Sequence, residues 1–360
     1  MGVVLAAIVP AFAVTQLVVN QYRDQRQRLA IEWSRRGQQA LTTQPGAAVT
    51  DFETALSYRA DSGDRFLLSK ALVAANRPAE ATAQLQTLAA ENPGNAHVSL
   101  ELARIAAARG DIDAAVRAYH AAIDGVWSTT PLLSRRAARV ELARLLMQAG
   151  RQEQAQAELI ALIGDLPPDP PELIDAGRLL ENAGAASRAL ALYRRALSID
   201  ASNGTAAHLA GEVEFRGGDM RSARRDLRRA MMLGGLDDGA RDLLETSERV
   251  LTLDPFADRL GVSARARRAA RVLDIALARL ARCRDAWSAD ERIAAKLADI
   301  DARLPRGATV QAFERDPDSI DDATTVALDV EKIPSGTCGA GTLDDRALAV
   351  IGAQHPGPQQ

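Results

Sequence analysis

The feature that most constrains this chain is a spacing repeated along its middle. A turn residue recurs at Asn76, Gly110, Gly150, Gly184 and Gly218. Five positions after each stands an alanine: Ala81, Ala115, Ala155, Ala189 and Ala223. Four positions further comes a large apolar residue (Leu85, Tyr119, Leu159, Tyr193, Leu227), and three further still Leu88, Ala122, Leu162, Ala196 or Ala230. Apolar positions separated by four and then three residues lie on one face of a helix. The intervals between turns are 34, 40, 34 and 34 residues. A unit of that length holds one helix pair, which cannot bury its apolar face alone, so neighbouring pairs must stack. The long interval places an insertion around Trp127–Leu133, where Trp127 either plugs a wider gap between pairs or lines a partner pocket.

Each unit also has an upstream helix with its own late pair of residues: Leu68-Ser69, Leu102-Ala103, Leu142-Ala143, Ala176-Gly177 and Ala210-Gly211. Small residues there let two helices approach closely. Pro93 and Pro167 end second helices, as a ring without an N–H does. A weaker copy runs from Trp33 to Ser57 with Gly37, Ala48, Phe52 and Ala55 in the equivalent places, and Asp238–Leu253 reads as one more partial unit. The composition agrees: hydrophobic residues are 47% of the chain but aromatics only 4%, which suits helices packed through small side chains and disfavours sandwiches and barrels.

Over about six units, from Ala30 to Asp237, this pattern resembles the tetratricopeptide repeat. The shared elements are a small residue late in the first helix, Gly at the turn, Ala then Tyr or Phe then Ala along the second helix, and a closing Pro. The resemblance implies an all-α, right-handed superhelical solenoid of about six helix-turn-helix repeats, with a concave inner surface that binds a protein or peptide. It also places the register occupied by Lys70, Arg104, Arg144 and Arg178, followed by Glu212, on the first helices facing that groove. Four cations in register would make a positive stripe able to steer an acidic or carboxylate-terminated peptide. The family's carboxylate clamps pair such cations with Asn, whereas Phe66, Leu100 and Val140 stand in the neighbouring groove places here, so a clamp of that kind is not expected.

Residues 1–20 are expected to form one transmembrane helix ahead of the repeat array at 21–237. No charge occurs from Gly2 to Asn20, and Val3–Val19 is nearly all apolar, the lower limit for a bilayer core of about 30 Å. The competing reading is a cleavable signal, since Ala11-Phe12-Ala13 has the small-x-small form; it would make the chain an exported, soluble periplasmic protein binding an anionic envelope polymer. Orientation is contested within the sequence itself. Arg23, Arg26, Arg28, Arg35 and Arg36 follow the span and favour a cytoplasmic domain, while the cysteines favour export.

Residues 238–360 are expected to form a helical C-terminal cap and tail, since repeat arrays need ends with a polar outer face. Ser263–Ala286 reads as a long helix ringed by Arg265, Arg267, Arg268, Arg271, Arg279, Arg282 and Arg284, a solvated face in preference to a membrane or nucleic-acid surface. Helices are also expected at Asp290–Leu304, from Ser319 with Ser319 as its N-cap, and at Leu343–Gly352. Cys283 and Cys338 both fall in this region. In an oxidising compartment a disulfide between them would close a loop of about 55 residues, on the order of 4 kcal/mol in the chain-entropy model; two buried thiols are the alternative.

Chemistry is hard to place. His97, His120, His208 and His355 share no metal-ligand spacing with carboxylates or cysteines. Gly336–Gly341 lacks the Lys-Ser/Thr of a phosphate loop, and Asp316–Asp322 lacks the Gly and terminal Glu of a calcium loop. Net charge is −3, which does not single out nucleic acid as a partner. The expectation is therefore a membrane-anchored interaction scaffold, with no enzymatic activity, metal or cofactor, binding a protein or acidic peptide. Its place would be the inner membrane of a bacterial envelope, with the repeats on the periplasmic side.

Overall fold

A computed structural model of the chain describes residues 2–128, 130–234, 237–305, 307–333 and 341–355, with side chains from Thr15 onward. It is built of helices, and among the described residues no strand occurs beyond one parallel bridge between Asn95 and Val126. The contacts divide the chain into two compact units, Met1–Asp165 and Leu166–Gln360.

The first unit holds α1 (Gly2–Ala40), α2 (Pro45–Tyr58), α3 (Ser62–Ala74), α4 (Pro78–Glu91), α5 (Ala96–Ala108), α6 (Ile112–Asp124), α7 (Pro131–Gln148) and α8 (Gln152–Ile163). Each helix packs on the next in sequence. The second begins with two further pairs, α9 (Pro170–Asn182) with α10 (Ala186–Ile199) and α11 (Gly204–Arg216) with α12 (Met220–Met232). After them come α13 (Asp238–Leu253), α14 (Val262–Ser288), α15 (Glu291–Arg303), α16 (Val310–Arg315), α17 (Ser319–Glu331) and α18 (Leu343–Gln354).

The repeat spacing translates directly into geometry. The turn residues Asn76, Gly110, Gly150, Gly184 and Gly218 all have positive φ, between 58° and 84°. This left-handed conformation stops the first helix and favours Gly or Asn. At every one of these turns, the N–H of the next residue donates back to the carbonyl five residues earlier: Arg77 to Leu72, Asp111 to Ala106, Arg151 to Leu146, Ala185 to Leu180 and Asp219 to Glu214. The turn residue's own N–H donates to the carbonyl three residues back. Two backbone bonds thus satisfy carbonyls the helix end would otherwise orphan. Past each turn, all five alanines, all five large apolar residues and all five residues three further on are buried. Ser69, Ala103, Ala143, Gly177 and Gly211 are buried opposite them. The weaker first copy follows the same rule, with Phe52 buried against Gly37.

The insertion at the third pair has its own packing. Val126 N–H donates to the Gly94 carbonyl at 2.8 Å, and the Val126 carbonyl accepts from Ala96 N–H at 3.2 Å. The loop so placed drives Trp127 into the core beside Ala96, Leu100, Ala138 and Leu142. His97 meets the Trp127 ring edge-on at 4.9 Å.

Two expectations are modified. The expected transmembrane helix is helical, but α1 continues without a break into the first repeat. Among the described residues no helix is long and apolar enough to cross a membrane. The side chains that would make the span apolar, residues 2–14, lie outside the described ones; beyond them α1 carries Gln16, Asn20, Gln21 and then charges. Second, the helix after the Asp316–Asp322 stretch begins at Ser319, yet its N-cap is Asp318, and the Ser319 hydroxyl donates to the Asp316 carbonyl.

The arginines of α14 only partly form the expected solvated face: Arg267, Arg271, Arg282 and Arg284 are exposed, but most of the seven are also paired. Arg265 bonds Asp321, Arg282 reaches Asp345 at 2.9 Å, and Arg284 reaches Asp301 at 2.7 Å. Arg268 donates to the Asp254 carbonyl at 2.7 Å, and buried Arg279 bonds both Glu331 and the Ile333 carbonyl. Aspartates and glutamates of α15, α17 and α18 thus complement the helix on which they pack. Burial pushes Glu331 up to about 7, against the pull of Arg279. Cys283 is buried in the same core; Cys338 lies outside the described residues.

Candidate functional site

Lys70, Arg104 and Arg144 occupy one register on α3, α5 and α7 of the first unit, and Arg178 holds it on α9 of the second. All four are exposed. Their surroundings differ. Arg104 clamps Glu141 of α7 with two bonds, 2.9 and 2.6 Å long, and takes Glu101 at 3.0 Å. Tyr119 of α6 donates to the same Glu141 at 3.2 Å. Burial pushes Tyr119 up to about 12. Burial would also raise Glu141, but the bonds from Arg104 outweigh it and hold the carboxyl below its ordinary value. Arg104 therefore ties two successive first helices together and is only partly available to a ligand. Lys70 and Arg144 have no carboxylate within ion-pair distance among the described residues, and Arg178 has only exposed Asp175 at 3.9 Å.

The second unit has a matching tie. Tyr193 of α10 donates to Glu181 of α9, which also receives Arg216 of α11. The carboxylate here belongs to the earlier pair and the arginine to the later one, the reverse of Arg104 and Glu141. Residue-by-residue comparison of one register does not reveal either tie, because the partners occupy different registers. The signal present was the tyrosine itself, a polar tip at a position otherwise held by leucine.

A third cluster breaks the repeat pattern. Four residues before the turn, where Leu72, Ala106, Leu146 and Leu180 stand in other pairs, α11 has Glu214. Its side chain is 1% exposed and accepts from Arg194 of α10 at 2.7 Å, while Arg225 approaches at 3.8 Å. Asp226 on α12 is buried beside it and takes Arg225 at 3.1 Å. Burial, with Asp226 alongside, pushes Glu214 up to about 7, and its second oxygen is sealed from water with no hydrogen-bond partner among the described residues. Glu214 lines a cleft of about 540 Å³ floored by Leu190, Ala191 and Val213.

Among the described residues no three His, Cys, Asp or Glu side chains gather as a metal site would require. The geometry offers cationic side chains on first helices, paired networks that lock neighbouring helices, and a cleft lined by a buried acid.

Stacked helix pairs closed by left-handed turns define a helical-repeat protein. Residues 72–124 match the family model described as tetratricopeptide repeat. Several solved structures are similar in part. The C-terminal part of a repeat-containing protein from Cytophaga hutchinsonii is 16% identical, covers 65% of this chain and 95% of its own, and has a TM-score of 0.48. A Pseudomonas aeruginosa protein, PilF, is 15% identical over 62% of this chain and 96% of its own, with a TM-score of 0.37. YrrB, described as having an unusual peptide-binding site, is 16% identical over 55% of this chain and 97% of its own, with a TM-score of 0.39. No curated protein matches the chain significantly.

Proposed function

We propose that this chain is a non-catalytic scaffold, anchored in a membrane by residues 1–20, that holds a partner protein or peptide on the face formed by its first helices. The observation that carries the reading is the repeat itself, because stacked helix pairs present the same register of successive first helices to one side. Exposed Lys70 and Arg144 in that register support an acidic partner; half-committed Arg104 contributes less. The uncharged segment Gly2–Asn20 supports the anchor, and a bridge between Cys283 and Cys338 would accompany a periplasmic position for the repeats.

The test is photo-crosslinking in intact cells from a site between Lys70 and Arg144, compared with a Lys70→Glu/Arg144→Glu variant. Crosslinks to one defined protein, lost in the variant while its circular dichroism is unchanged, are expected. Crosslinks that survive charge reversal would remove the cationic face from the mechanism. An impermeant maleimide, applied to intact and lysed cells with and without reductant, tests the placement. Thiols reactive in intact cells only after reduction support the periplasmic side; free thiols shielded until lysis overturn it.

A further inference from the structure

The outer face of α12 is made of arginine and methionine. Arg221, Arg224, Arg225, Arg228, Met231 and Met232 follow one another at helical spacings, and all are exposed, Met232 to 73%. The opposite face, Ala223, Leu227 and Ala230, is buried. The helix has a single acid, Asp226, and it is buried as well. Arg221 and Arg224 meet no carboxylate among the described residues. Arg225 and Arg228 bond Asp226 and Glu248 yet keep side chains 63% and 53% exposed. A helix face that merely meets water mixes both signs of charge and avoids large apolar groups at its edge. This one concentrates guanidinium groups, on a chain whose net charge is −3, and runs directly into two open thioethers.

We infer that this face of α12 docks on an anionic phospholipid surface, its arginines on headgroup phosphates and Met231 and Met232 entering the acyl boundary. Guanidinium groups bond phosphate oxygens in pairs, and a cationic helix face flanked by apolar side chains is the pattern that lies in a bilayer interface. An acidic protein would satisfy the arginines equally, but charge alone gives the methionines nothing to bury against. The inference rests on the proposed anchoring, which brings a bilayer within reach.

The test uses the full chain with vesicles of phosphatidylcholine alone or mixed with phosphatidylglycerol. Peroxide oxidation of each methionine is followed by mass spectrometry, with buried Met220 as internal reference. Met231 and Met232 should oxidise several-fold more slowly with the anionic vesicles only, and added salt should weaken the protection. Each arginine near such a surface changes partitioning roughly fivefold, so Arg221→Glu/Arg224→Glu should abolish the protection. Met231→Gln/Met232→Gln, which leaves the arginines in place, should lower partitioning onto anionic vesicles. Sedimentation with both kinds of vesicle but no protection of Met231 and Met232 overturns the docking and leaves the anchor standing. Protection on anionic vesicles without sedimentation on neutral ones does the reverse. Protection by polyglutamate and not by vesicles would assign the face to an acidic protein and overturn the lipid reading.

Discussion

Gly177→Ala should destabilise the second unit, although it replaces a poor helix former with the best one. In an open helix position the change would stabilise by about 1 kcal/mol. Here a Cβ built on Gly177 would lie 2.3 Å from Cε1 and 2.9 Å from Cζ of Tyr193, closer than van der Waals contact allows. Tyr193 is fully buried and its hydroxyl is committed to Glu181, so the ring cannot turn aside without giving up that bond. Overpacking costs roughly 1–3 kcal/mol, and a buried polar group left unpaired about as much again. With each cost near the middle of its range, subtracting the propensity gain leaves a net loss of about 3 kcal/mol. Urea unfolding followed by circular dichroism should show the midpoint falling by about 1.5 M, for a slope of roughly 2 kcal/mol per molar. The second arm of the experiment is Gly177→Ala/Tyr193→Leu. That pairing already exists in the first unit, where Ala143 and Leu159 hold these registers and both are buried, so most of the loss should return. A midpoint that rises in the single variant would refute the reasoning. The α9–α10 pair would then have opened to the spacing at which α5–α6 accommodates Ala103 opposite Tyr119.

The remaining predictions concern charge and the insertion. Because the folded state holds the Glu214 proton up to about 7, the unfolded chain gives up that proton at lower pH; the contribution is full below the ordinary carboxylate range and lost as pH rises through about 7. Stability measured from pH 5 to pH 8 should fall, and Glu214→Leu should flatten the slope. The residue left over reflects Glu331, which burial shifts in the same direction. Arg104→Ala should cost on the order of 1 kcal/mol, and a double-mutant cycle with Glu141→Gln should show the two losses to be strongly non-additive. Trp127→Ala, emptying a buried site, should cost about 3–5 kcal/mol by chemical denaturation; a loss under about 1 kcal/mol would mean the loop collapses and the tryptophan has another purpose. If Cys283 and Cys338 are bridged, reductant should slow the chain on a denaturing gel, and Cys283→Ser should remove the difference.

The repeat was legible because its determinants are local. A left-handed turn admits few residues besides Gly and Asn, and close helix approach admits only small ones, so Gly110 and Ala115 announce themselves without knowledge of neighbours. The ion-pair ties were not legible, since Arg104 and Glu141 lie in different units of the pattern and meet only after stacking. Glu214 was legible in principle, as an acid in a register of leucine and alanine. The pairing of the α14 arginines was not legible because the acids that meet them arrive from α15, α17 and α18, 63 residues away for Arg282 and Asp345. The composition of one helix does not say what will be folded against it.

The two units differ in how their contacts are wired. In the first, every helix leans on its neighbours in sequence, so it behaves as a line of dominoes whose ends can fray one pair at a time. The second closes on itself. Its last helix, α18, returns to α13, with Asp344 bonding Arg249 across 95 residues and Gln354 donating to the Gly218 carbonyl across 136. The left-handed turn of the final regular pair is therefore clasped by a residue 136 positions further along the chain, and the second unit gains that closure only once so distant a segment is in place.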